Sequence, residues 1–379
     1  MSSAATRRKR AITWIAIGVA ACALQASADV KPSLFPLATN WTVEIGGPPV
    51  ANAPPLSDAS RIYIALRSGS IVARSASDGS EVWNRPLATD RAIALDNGLL
   101  FAVSSKAVYA LRGTDGSTAW TRPMPIPSAP LLARGGWLIT AADTTVTARR
   151  GQDGSVVWTR DVGVVSRRPA VDGNRLYVPT DDGRIVALNL EDGSPVWERE
   201  VGGVPAEPVA AADRVYVGAS DRQFYSLKAA DGEVDWTWRV GANMIGAPAV
   251  DDQRVYFVAL DNVVRALDRE SGVLKWQHAI RRRAASGPSV VQDAVLLASS
   301  SSGEIYAWLA TGHAAGTILL ESPPVVPPDL AGGEETGARL SVVTGSLSGV
   351  WRLALIAAVR EPPPVPLTEL PGRPLEISK

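Results

Sequence analysis

Cysteine and histidine are nearly missing from this chain. Cys22 is the single cysteine in 379 residues, and the only histidines are His278 and His313. No internal disulfide can form, and a zinc site built from cysteine and histidine is excluded. Helical periodicity is absent beyond the N-terminal segment. The longest apolar run, "AITWIAIGVAACAL" at 11–24, is shorter than the ~20 residues a membrane-spanning helix needs. Nor is there an excess of charge of one sign, with 38 basic and 38 acidic residues. Without residues 1–28 the balance is 34 basic to 38 acidic, a net of −4. A nucleic-acid partner, which demands a clustered positive surface, is therefore not expected.

The N-terminus has the layout of an export signal: basic residues at 7–10, then the apolar run. Two cleavage readings stand side by side. "ASA" at 26–28 before Asp29 suits a general signal peptidase, which makes residues 1–28 the leader and the product soluble and periplasmic. "VAAC" at 19–22 resembles the lipobox of bacterial lipoproteins, which makes residues 1–21 the leader and Cys22 the lipidated N-terminus. The second is preferred, because the one cysteine stands at the required place. Residues 29–39 then form a tether, 40–358 the folded domain, and the proline-rich 359–379 a C-terminal tail too rich in proline to join a sheet.

What the chain does have is repetition. "ALDRESGVLKW" at 266–276 echoes "ALNLEDGSPVW" at 187–197 and "ALRGTDGSTAW" at 110–120. Trp41, Trp83, Trp120, Trp158, Trp197, Trp236 and Trp276 follow one another at intervals of 37–42 residues. A further copy, 307–317, keeps the register but puts Gly316 in the tryptophan's place. Each unit divides into four short runs rich in Val, Ile, Leu and Tyr, separated by turn signals such as "DGN", "DDG" and "EDGS". Four antiparallel strands every 38–42 residues is the pattern of a β-propeller blade.

Prolines mark the strand order. Pro55, Pro130, Pro169, Pro208, Pro248, Pro288 and Pro324 open the first strand of most units. A residue that cannot donate to the ladder belongs on an edge, here the edge lining a central channel. Seven units end at 83, 120, 158, 197, 236, 276 and 316, and three strands follow at "PPVV" (323–326), "RLSVVTG" (339–345) and "GVWRLAL" (349–355). The lone "NWTVEIGG" at 40–47 supplies the missing fourth. An all-β, eight-bladed propeller closed by its N-terminal strand is expected, leaving no open ring edge. The segment 321–338 stands out as a Pro/Gly-rich insertion.

The phrase Ala266-x-Asp268-x-x-Ser271-Gly272-x-x-x-Trp276 resembles the tryptophan-docking motif of pyrroloquinoline-quinone-type (PQQ-like) repeats, over about 40–355. The resemblance implies that the seven tryptophans are structural, each packing its ring on the neighbouring blade. It extends to two functional classes. Quinoprotein dehydrogenases carry a vicinal Cys-Cys disulfide over the quinone, which a single cysteine cannot form. "TDDG" at 180–183 and "ALDN" at 259–262 lack the dense alternating oxygen ligands calcium requires and suit hairpin turns. No cofactor, metal or catalytic residue is expected.

Among non-enzymatic relatives, the exported, lipidated eight-bladed layout is similar to the BamB family of outer-membrane assembly lipoproteins. That resemblance implies a scaffold at the periplasmic face of the outer membrane, with envelope proteins and the β-barrel assembly machinery as partners. The chain departs from the family where a Leu-Arg-Gly-x-x-Ala-Pro-like stretch opens one blade, since "GVVSRRPA" stands at 163–170. A redox propeller, and an exported propeller for an unrelated partner or polysaccharide, remain the alternatives. For a docking surface the sequence offers Arg167 and Arg168, leading into the fourth blade, and Arg281, Arg282 and Arg283, leading into the seventh. Both clusters are expected on one face of the channel, as a patch for an acidic partner segment or simply as solvated surface arginine.

Overall fold

The computed structural model describes residues 37–358, apart from 292, 334–336 and 347–348. Cys22, the leader and the tail at 359–379 lie outside the described residues, as does all of the tether but Leu37–Thr39. Every described regular element is a strand, and the strands form eight four-stranded antiparallel sheets. Blades 1 to 7 occupy residues 56–86, 94–123, 132–161, 170–200, 209–239, 249–279 and 289–319 in chain order. Blade 8 combines Asp329–Gly333, Gly337–Gly345 and Trp351–Ala358 with the N-terminal strand Leu37–Ile45.

The ring closes as expected, with the N-terminal strand pairing into the last blade. Leu37 faces Ala358, Trp41 faces Leu355 and Ile45 faces Trp351, with a bulge between Thr39 and Trp41. The strand begins at Leu37, inside the stretch assigned to the tether.

Prolines 55, 169, 208, 248 and 288 stand immediately before inner strands of two or three residues. Inner strands of adjacent blades touch around the channel. Blade 8 corrects one expectation. "PPVV" is not its first strand; the inner strand is Asp329–Gly333, within the supposed insertion. Pro324 instead bridges Thr344, as Pro205 bridges Ala219 and Ala284 bridges Ser299 in earlier blades. It matches the approach to a blade, not the strand itself. Two prolines with similar neighbours thus hold different places, and only the pairing partner separates them.

The tryptophans join the blades. Each indole N–H donates to a backbone carbonyl of the next blade: Trp41 to Ala76, Trp83 to Gly113, Trp120 to Gly151, Trp158 to Leu190, Trp197 to Ala229, Trp236 to Arg269 and Trp276 to Ala310, at 2.8–3.2 Å. The ring lies on a turn glycine. A Cβ on Gly193 would come within 2.6 Å of Trp158, and on Gly154 within 2.6 Å of Trp120. Both glycines also have a φ near +70°, so their turns need glycine twice over. On the tryptophan's own blade the cross-strand partner is small, as Ala148 is for Trp158 and Ala187 for Trp197. A tilted aromatic neighbour completes the packing, for instance Tyr177 at 5.8 Å from Trp197.

Candidate functional site

Antiparallel order gives the ring two unlike faces. One carries the turns between first and second and between third and fourth strands. These are short, and their aspartates are spent on local geometry: Asp153 accepts from the Ser155 amide at 2.8 Å and Asp192 from that of Ser194 at 2.8 Å. The other face, the loop face, carries the second-to-third turns and the connections between blades. The two kinds of segment are stitched together there by isolated bridges such as Met244 to Ala259.

Both arginine clusters lie on the loop face, in the connections leading into blades 4 and 7, three blades apart in a ring of eight. They do not form one cluster. Arg167 is paired with Asp181 at 3.1 Å, and Ser166 donates to the same carboxylate at 2.7 Å. Arg168 reaches Glu207, on the connection into blade 5, at 3.8 Å. These two arginines are therefore engaged with their own protein. Arg167 and Glu207 also line a cleft of about 330 Å³ with Ser220, Asn243 and Met244, spanning the approaches to blades 5 and 6.

Arg281, Arg282 and Arg283 are exposed. The backbone beneath them is fixed: Ala284 bridges Ser299, and the Ser300 amide donates to the Arg283 carbonyl at 2.8 Å. Among the described residues no carboxylate lies within ion-pair distance of these three side chains. The nearby Glu304 carboxyl is held below the usual carboxylate range by the hydroxyls of Tyr306 and Ser302, with the charges of Arg282 and Arg281 adding to the effect. The triplet is the freer of the two clusters.

The sequence reasoning missed the apolar component of this face. Ile126, Val164, Leu260 and Val325 are all exposed on it, Ile126 by 55%. Their signal was available in apolar residues interrupting otherwise turn-like connections, as in "MPIPS" and "VGVVSRR". Other exposed valines, such as Val156 and Val196, sit on outer strands beside the DG turns, at the periphery.

The residues weighed for chemistry have structural partners. Asp182 pairs with Arg184 at 2.7 Å and Asp261 with Arg265 at 2.6 Å. His278 sits 2.7 Å from the Gly312 carbonyl and stacks on Trp308, sealing blade 6 to blade 7. His313 contacts Thr311 at 3.0 Å. Among the described residues no group of three or more His, Cys, Asp or Glu side chains is placed to share a metal ion.

Comparisons with known proteins agree with this geometry. The family model described as "Outer membrane protein assembly factor BamB" matches residues 38–163, 67–206 and 199–325. The crystal structure of BamB from Moraxella catarrhalis is similar at 18% identity and a TM-score of 0.65, covering 84% of this chain and 97% of that one. The quinohemoprotein alcohol dehydrogenase from Comamonas testosteroni superposes at 12% identity and a TM-score of 0.68, over 86% of this chain and 78% of that one. A computationally designed protein, Ika8, matches at 14% identity and 0.65, over 82% of this chain and 98% of that one. At such identities the structures show the fold alone. No curated protein matches the sequence.

Proposed function

The chain belongs to the BamB family of PQQ-like repeat propellers, and on that premise we propose that it is a non-catalytic protein-binding scaffold of the periplasm, assisting outer-membrane protein assembly. The observation that carries this reading is the asymmetry of the two faces. Exposed Ile126, Val164, Leu260 and Val325 share the loop face with both arginine clusters, whereas the opposite turns are uniform and self-satisfied. Apolar side chains beside arginine are the composition of a protein interface, where desolvated anchors and bidentate guanidinium contacts contribute most of the binding energy. The partner it fits is a protein segment with apolar anchors and carboxylates.

A redox function is the rival, because dehydrogenases share the fold. A single cysteine forbids the vicinal disulfide the resemblance to those enzymes implies, and the aspartates of the turns are committed to neighbouring arginines. The two readings part in one experiment. The purified protein, mixed with pyrroloquinoline quinone and calcium, is expected to show no stoichiometric binding and no alcohol or sugar dehydrogenase turnover. Captured from an envelope extract after crosslinking, it is expected to bring down outer-membrane assembly proteins. Quinone binding with turnover, or capture of none of those proteins, overturns the scaffold reading.

A further inference from the structure

Seven of the eight seams in the ring are closed by a tryptophan, and the seam between blades 7 and 8 is not. Gly316 stands opposite Ala307 there, where Trp276 stands opposite Ala266 one blade earlier. No described atom lies within 4 Å of a Cβ built on Gly316. Leu319, three residues on along the same outer strand, is 75% exposed, more than any other large apolar side chain described.

The cause lies in how blade 8 is assembled. An indole needs a turn between third and fourth strands to rest on. Blade 8 has none, since its fourth strand comes from the other end of the chain. In blade 1 the cross-strand partner of Trp83 is Ala73, and the carbonyl that receives the preceding blade's indole belongs to Ala76, three residues later. In blade 8 the partner of Trp41 is Leu355, and three residues later comes Ala358. The described strand therefore ends at the point where every other blade presents its receiving turn, and residues 359–379 follow it in the chain. They begin "VREPPPVPL".

We propose that residues 359–367 of this chain dock along the outer strand Ala314–Leu319 of blade 7, filling the gap at Gly316 and covering Leu319. The reach is sufficient: nine residues in the extended proline conformation span about 28 Å, against about 20 Å for a six-residue strand. The chemistry also fits. Proline has no N–H to leave unpaired, while the carbonyls of the segment can accept from the amides on the free edge of the blade 7 strand. Proline rings and Val365 supply the apolar cover that a tryptophan would otherwise provide. Because the segment starts at the seam, its effective concentration there is on the order of millimolar, so a weak contact stays occupied.

The test compares the full chain with one ending at Ala358. Removing the tail is expected to lower the melting temperature and to deprotect the amides of Ala314–Leu319 in hydrogen exchange. A labelled peptide of residues 359–379 is expected to bind the shortened protein, to bind the full chain at least tenfold more weakly, and to lose at least tenfold affinity when Leu319→Asp is introduced into the shortened protein. In the full chain, Leu319→Asp alone is expected to deprotect the same amides, a readout independent of how well the truncation folds. Unchanged exchange at Ala314–Leu319 in both variants overturns the proposal. So does peptide binding that ignores Leu319→Asp, which would place the tail elsewhere.

Discussion

The indole N–H of Trp158 in blade 3 donates to the carbonyl of Leu190 in blade 4, 2.8 Å away. The ring fills a space that only Gly193 leaves open. Truncating so large a buried side chain removes apolar area and orphans a carbonyl, so Trp158→Ala is expected to cost roughly 3–5 kcal/mol. Trp41 is only half-buried in its seam, and Trp41→Ala is expected to cost less. Equal shifts in denaturant midpoint for the two variants would contradict this ordering.

Closure depends on Leu37–Ile45, which pairs with Trp351–Ala358. Deleting residues 29–47 exposes that strand's edge and removes the one tryptophan joining blade 8 to blade 1. A sharply lower melting temperature and concentration-dependent aggregation are expected. A truncated protein that melts like the intact one would show that the ring does not need this strand.

Asp329, on the inner strand of blade 8, sets a pH dependence. The residue as a whole is half-buried, but its Oδ2 is sealed from solvent without a partner. Burial pushes the carboxyl up to about 6 from its usual 3.8, while the hydroxyl and amide of Ser57 pull in the opposite direction. The folded protein thus keeps a proton that the unfolded chain has released, and this contribution to stability is complete below about pH 4 and lost as pH rises through 6. The effect is at most about 3 kcal/mol. Asp329→Asn is expected to raise the melting temperature at pH 8 and to flatten its dependence between pH 4 and 7. An unchanged profile would remove Asp329 from the account.

Reversing Arg281, Arg282 and Arg283 to glutamate is expected to weaken partner capture at least tenfold, about 1.4 kcal/mol, while barely moving the melting temperature. Reversing Arg167 and Arg168 as well breaks the pairs with Asp181 and Glu207 and is expected to cost up to about 1 kcal/mol of stability for each. Undiminished capture with all five reversed would place the partner on another surface.

The N-terminus offers a covalent test. If "VAAC" is the processing site, the protein expressed in a Gram-negative host takes up labelled palmitate and sediments with membranes, and Cys22→Ser abolishes both. A soluble wild-type product beginning at Asp29 would decide for the other cleavage.

Blade number, strand order and the closing strand were legible because they rest on periodic signals: a tryptophan about every 39 residues, a proline before most inner strands and paired turn residues between. Pro324 was misplaced because proline marks any edge-like position, and its bridge to Thr344 is a long-range pairing that local pattern does not encode. The arginines were placed on the right face, but Asp181 and Glu207, which occupy Arg167 and Arg168, lie 14 and 39 residues away. Gly316 looked like a decayed repeat. Its meaning emerges only once blade 8 is seen to lack the turn an indole would need.

The pairing of Leu37 with Ala358 also imposes an order in time. Each tryptophan on blades 1 to 6 reaches forward along the chain, so a blade emerging during synthesis can dock as soon as its successor arrives. The first strand to emerge can set Trp41 on blade 1 but has no sheet of its own to join. It must wait, with its edge unpaired, until more than 300 residues have followed it. Joining ends so far apart forfeits loop entropy before any contact repays it. The earliest strand made is the last to be seated, and during that interval the newborn protein is most exposed to aggregation and to proteases.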